Sequence, residues 1–184
     1  MSNKLKLTVG AIVVTALAYT TAPTTAQAKV EGDTVTFGVA VSLTGRYAIN
    51  GKHTKNGYDL AVKFINDKGG LTVGGKKYKL AIKYYDDEST AARATQLAER
   101  LIQQDKIKFV LGPYSSGMTK AIAPVVEKYK VPMVEGNGAS RSIFNQGFRY
   151  TFAVLSTSEQ YLKSAIDLAA EVAKKEGRNV KSVK

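Results

Sequence analysis

Ser115 and Ser116 stand just before an apolar-periodic run that opens at Met118. A helix start presents unpaired backbone N–H groups and a partial positive charge. A carboxylate or phosphate fits there, and a hydroxyl adds one more donor. The same pair also suits a plain helix cap, and the residues alone leave both readings open. A second polar group lies in Gly136-Asn137-Gly138-Ala139-Ser140. Its amide, hydroxyl and backbone groups suit an ammonium or the second edge of a polar ligand, or else form a flexible connection. Tyr47, Asn50 and Tyr114 are candidates to contact a ligand side chain; Tyr47 and Asn50 are also readable as simply exposed.

Catalytic chemistry finds little support. His53 is the single histidine and has no serine or metal partner in view, so it reads as a surface residue. Asp86-Asp87-Glu88 precede a helix and read as dipole and capping chemistry rather than a metal site. No Walker loop, GxGxxG or HExxH is present. The chain has no cysteine, which excludes disulfides, thiolate metal sites, a cysteine nucleophile and lipid attachment at a cleavage-site cysteine. The expectation is a binding protein, not an enzyme, with neither metal nor cofactor.

The elements that must carry these residues alternate between strand-like and helix-like patterns. Residues 35–41 read as a buried strand. Residues 57–66 read as a helix, with Tyr58, Ala61, Val62 and Ile65 on one face. A strand at 80–85 follows, then a helix at 91–104 with Ala94, Leu97, Ala98 and Leu101 in register. A strand at 107–111 leads to a helix at 118–129, in which Pro124 is expected to cause a kink or a break. A short strand at 132–134 and an extended segment through Phe148, Tyr150 and Phe152 come next. A last helix begins near Ser158, with Leu162, Ala165, Ile166, Ala169 and Ala173 sharing a face, and another strand is expected from Val180.

This order predicts an α/β fold: a doubly wound parallel sheet with helices on both faces. Ligands of such sheets bind beyond the carboxyl ends of the strands, where strand order reverses. If the first strand is central, residues 43–50, 112–117 and 135–140 line that crevice.

Lys4 and Lys6, an apolar run from Leu7 to Ala18, and Ala26-Gln27-Ala28 have the order of a secretory signal, with the cut expected after Ala28. The run falls short of the roughly 20 apolar residues of a membrane span. The formal net charge is +12, yet the basic residues are spread along the chain and form no helix-turn-helix or finger pattern, so nucleic acid is not an expected partner.

Phe37-Gly38-Val39-Ala40 with Leu43-Thr44-Gly45, Gly51, Gly57, Ala61-Val62, Ile65-Asn66 and Gly69-Gly70 resembles the opening of periplasmic leucine/isoleucine/valine-binding proteins. Tyr85-Asp86-Asp87, Gly112, Ser115-Ser116, Val131-Pro132-Met133 and Gly138-Ala139-Ser140 continue the likeness. The resemblance implies a type I solute-binding fold: two lobes joined by a three-segment hinge, delivering a small molecule, an amino acid or a relative of one, to an ABC transporter permease. It implies residues 1–28 as signal peptide, 29–152 as lobe one, and 153–184 as a hinge crossing and the first helix of a lobe two mostly missing from this chain. The mature protein would be soluble and periplasmic. By position, Ser116 corresponds to the serine that binds a ligand carboxylate, and Asn137 to a residue whose carbonyl meets the ammonium. Ala139 stands where the family has a threonine, with Ser140 the candidate substitute. Asn50 stands where the family has an aromatic, which weakens leucine specificity. A receptor sensor domain and an exported enzyme on the same scaffold are the alternatives.

Overall fold

The structure, a computed structural model, describes residues 30–161 and 163–178. The signal segment, its cut after Ala28, Leu162 and the strand expected from Val180 lie outside the described residues.

The strands are β1 (Val30–Glu31), β2 (Thr34–Val41), β3 (Leu71–Val73), β4 (Lys76–Asp86), β5 (Val110–Leu111), β6 (Met133–Glu135) and β7 (Thr151–Ala153). The α-helices are α1 (Ala48–Asp67), α2 (Ala91–Gln103), α3 (Ser116–Tyr129) and α4 (Lys163–Lys175). They form one sheet in the order β3-β4-β2-β5-β6-β7, with β1 beside β2. Strands β4, β2, β5, β6 and β7 run parallel, and β1 and β3 add antiparallel edges. The first long strand is central, as expected, and strand order reverses between β4 and β5.

The last four residues of β2, Gly38 to Val41, are all buried, because helices cover both faces there. On one face, α2 and α3 seal a core of Leu97, Leu101, Ile107, Ile122, Val126 and Met133. Gly38 lets α2 approach: a Cβ there would stand 3.0 Å from both Leu101 and Ile107 side chains. Helix α1 crosses the opposite face.

Four expectations need correction. Helix α1 starts at Ala48, well before Gly57, so Asn50 is helical rather than in a loop. The strand expected over 107–111 is regular only at Val110–Leu111. Helix α3 starts at Ser116 and runs through Pro124 without breaking. Proline removes one intrahelical bond, the one to the Lys120 carbonyl one turn back, and the helix continues past that loss. The last helix begins at Lys163 after a short 3-10 turn, Ser158–Gln160. Its expected buried face is open: Ala165 and Ala169 are exposed, Ile166 is 51% exposed, and Ala173 is the one residue it buries among those described.

Candidate functional site

Three loops meet at the carboxyl ends of β2, β5 and β6. The loop after β2 is tied down by two aspartates at the end of β4. Asp86 Oδ1 accepts from the backbone N–H of Leu43 (2.9 Å), Thr44 (3.2 Å) and Glu88 (2.9 Å), and Oδ2 accepts from Thr44 Oγ1 (2.7 Å). Burial alone would raise the Asp86 pKa, but these hydrogen bonds together hold it below the usual range. Asp87 is buried; its Oδ1 accepts from Ser42 Oγ (2.6 Å) and from the Ser89 N–H (2.8 Å). Ser89 Oγ in turn accepts from the Tyr47 N–H (3.0 Å) and donates to the Thr44 carbonyl (2.6 Å). The acidic run therefore clamps the first crevice loop. Helix α2, which it was expected to cap, has Thr90 at that position.

Ser115 is the cap of α3: its Oγ accepts from the Met118 N–H (3.4 Å). Its backbone, at φ 83° and ψ 150°, occupies a region that is almost exclusively glycine's. Of the two readings of the serine pair, capping applies to Ser115. Ser116 is free of that duty. Its Oγ accepts from the Ser140 N–H (3.2 Å), which joins the second loop to the third. A serine hydroxyl accepts twice and donates once, so the Ser116 proton can still be donated to an anion at the start of α3.

The loop after β6 is built on Glu135, a fully buried carboxyl whose Oε2 accepts from the N–H groups of Asn137 (3.0 Å) and Gly138. Burial pushes its pKa up, against the pull of those two N–H groups. Gly138 has no room for a side chain, since a Cβ would meet Glu135 Oε2, Ile143 and Thr119 within 2.8 Å. The Ala139 carbonyl accepts from the Ser158 N–H (2.8 Å). The Ser140 hydroxyl pairs with Ser142 Oγ (2.7 Å), and the Ser140 N–H donates to Ser116 Oγ.

Between α1 and the second and third loops lies a cavity of about 390 Å³, lined by Asn50, His53, Thr54, Tyr58, Tyr114 and Asn137. Tyr47 stands beside it, its ring edge-on to Tyr114 at 5.7 Å, with the Arg46 guanidinium 4.5 Å above the Tyr47 ring. Tyr58 donates to the Gly112 carbonyl (2.8 Å), and burial together with the nearby Glu135 pushes its hydroxyl up to about 12. Ser116 and this cavity both lie toward the carboxyl end of the sheet, where strand order led the crevice to be expected.

The sequence model of the family described as periplasmic binding protein matches residues 34–183. The chain belongs to this family. It is similar to Leu/Ile/Val-binding protein homolog 8 of Brucella abortus, at 30% identity over 73% of this chain and 32% of the relative. It resembles the solute binding protein of an ABC transporter from R. palustris, solved in complex with 4-hydroxybenzoate. That match has 30% identity and a TM-score of 0.60, and covers 79% of this chain and 37% of the other. The branched-chain amino acid substrate binding protein of Streptococcus pneumoniae, solved with isoleucine, matches at 28% identity and a TM-score of 0.61, covering 67% and 34%. The chain spans about a third of the length of these relatives.

Within this periplasmic binding protein lobe, three predicted residues, Asn50, Tyr114 and Asn137, share one cavity, and Ser116 and Ser140 share one hydrogen bond. His53, Thr54 and Tyr58 were not anticipated in the site; His53 is exposed, as its surface reading expected, and also lines the cavity. The signal for them is helical spacing. Asn50, His53, Thr54, Gly57 and Tyr58 fall at i, i+3, i+4, i+7 and i+8, one stripe of a helix. Because its first half is polar, that stripe escapes a search for apolar periodicity.

Proposed function

We propose that this chain supplies one wall of the binding crevice in an exported solute-binding protein that delivers a small carboxylate to an ABC transporter permease. The observation that carries this reading is the meeting of Ser116, at the start of α3, with the loops after β2 and β6 where strand order reverses. Open α/β sheets bind ligands at that point. Family membership supports it. The ligands of the two solved relatives, isoleucine and 4-hydroxybenzoate, are both small carboxylates.

On this reading residues 29–152 form the first lobe, and the chain leaves it near 153–156 through a hinge. Helix α4 then belongs to a second lobe, which accounts for its open apolar face. The phenylalanine and valine exposed on the α1 side of the sheet, Phe152 and Val134, fit a lobe that expects further cover. Ligand bound to one lobe recruits the other by hinge closure. The Lys4 to Ala28 segment fits a cleaved export signal and a periplasmic location. The mechanism asks for binding and release, with no bond made or broken.

Ser116→Ala is expected to weaken carboxylate binding by about 1–3 kcal/mol, or roughly 5- to 150-fold, with little change in melting temperature. Isothermal titration with the ligand that most raises the melting temperature measures it. Unchanged affinity removes Ser116 from the site.

A further inference from the structure

The cavity wall sorts into groups that the protein uses and groups that it leaves over. Thr54 Oγ1 donates to the Asn50 carbonyl (3.0 Å), and the Tyr58 hydroxyl donates to the Gly112 carbonyl (2.8 Å). Both hydroxyls are committed, which leaves the Tyr58 ring as an apolar surface. Among the described residues, no hydrogen bond engages the side chains of Asn50, His53, Tyr114 or Asn137, although all four line the same cavity. Asn50 and His53 are one helical turn apart and stand on one face of α1.

A branched aliphatic side chain is a poor occupant. It would strip water from two amides, an imidazole and a phenol and give them no partner. A flat ring with a polar edge suits both kinds of lining group: the aromatic Tyr58 and Tyr114 for the ring, and Asn50 and His53 for the edge. The charge pattern points the same way. The crevice segments 42–50, 112–116 and 135–140 contain Arg46 and a single acid, Glu135, which is buried and occupied by the N–H groups of Asn137 and Gly138. This side of the crevice receives an anion and offers no open carboxylate to an ammonium.

We propose that the crevice takes an aromatic carboxylate bearing a ring hydroxyl, with its carboxylate at Ser116 and its hydroxyl held by Asn50 and His53. The inference rests on the solute-binding reading above and adds the ligand class and two residues that determine specificity. His53 is both donor and acceptor through its two ring nitrogens, and the Asn50 amide likewise, so either can serve a phenol hydroxyl.

The test is a titration of the isotopically labelled 184-residue protein, followed by amide chemical shifts, with 4-hydroxybenzoate, benzoate and L-isoleucine. All three should move the Ser116 and Ser140 amides. 4-Hydroxybenzoate should bind about 5- to 10-fold more tightly than benzoate, the worth of one good hydrogen bond. Asn50→Ala and His53→Ala should each shrink that ratio, and the double variant should bring it to about one. Both sites are exposed helix positions, so the variants keep their helix. A preference for isoleucine over 4-hydroxybenzoate, or a hydroxyl preference that survives the double variant, overturns the inference and leaves solute binding standing. If none of the three moves the Ser116 and Ser140 amides, the solute-binding reading falls, and this inference falls with it.

Discussion

Gly51→Ala is expected to unseat the first turns of α1 and to cost at least about 3 kcal/mol of stability, the upper part of the overpacking range. A Cβ at this buried position would lie 1.8 Å from the Ser42 carbonyl oxygen and 2.7 Å from its carbon. Both are backbone atoms at the end of β2, so no side chain can swing aside. The Gly51 N–H is itself bonded to the Tyr47 carbonyl (2.8 Å), which fixes the helix where it crosses the strand. Asn50, His53 and Thr54 ride on these turns, so the cavity should lose its shape along with the stability. For a chain of this size each kcal/mol is worth about 2–4 °C, so the melting temperature should fall by roughly 6–12 °C. Gly57→Ala is the matched control. It sits in the same helix with nothing within 4 Å of an added Cβ, and alanine there should gain about 0.5–1 kcal/mol. Urea unfolding of the two variants decides the matter. Equal stabilities would mean that α1 does not pass so close to Ser42.

That close approach was not legible beforehand, and the reason is physical. Apolar periodicity reports burial, and the first half of α1 is polar because it faces the crevice instead of the core. Tyr58, Ala61, Val62 and Ile65 announced the second half, whereas Asn50, His53 and Thr54 announced nothing. The sheet order was legible because the alternation of buried strands and amphipathic helices leaves few windings open. The crevice followed from that order. The clamp at Asp86 and Asp87 was missed for another reason. Its partners, Ser42, Leu43 and Thr44, lie more than forty residues away, so local spacing sees only acids before a helix. The splitting of roles between Ser115 and Ser116 was likewise hidden. It depends on the unusual backbone of Ser115 and on the Ser140 N–H, which adjacent residue types do not encode.

Glu135 should set how stability depends on pH. It is fully buried beneath the third crevice loop, and its Oε1 has no partner among the described residues. Burial raises its pKa above the ordinary 4.5 despite the N–H groups of Gly138 and Asn137. The folded protein therefore keeps this proton at a pH where the unfolded chain has released it. The resulting stabilisation is fully present below about 4.5 and is lost as pH rises through the raised folded value. Asp87, also raised by burial against the hydrogen bonds of Ser42 and Ser89, acts in the same direction from its ordinary 3.8 upward. Asp86 and Asp105 act oppositely. Burial would raise both, but hydrogen bonds outweigh it: from Glu88, Thr44 and Leu43 on Asp86, and from Lys83 and Tyr85 on Asp105. Their contribution is present above about 3.8 and is lost as pH falls through the lowered values. Stability should thus decline on both sides of a weakly acidic maximum. Glu135→Gln keeps an acceptor for the Asn137 and Gly138 N–H groups but cannot ionise, so it should flatten the decline on the high-pH side. Glu135→Ala orphans both donors and opens a cavity, at an expected cost of roughly 2–5 kcal/mol. Urea unfolding from pH 4 to pH 8 distinguishes the three proteins, and an unaltered high-pH slope in the Gln variant would assign that decline elsewhere. The same charge bears on ligand binding. An ionised Glu135, two residues from Asn137 in the cavity wall, would disfavour a carboxylate ligand on the proposed reading. Carboxylate affinity should therefore fall with rising pH in the native protein, and fall less in Glu135→Gln.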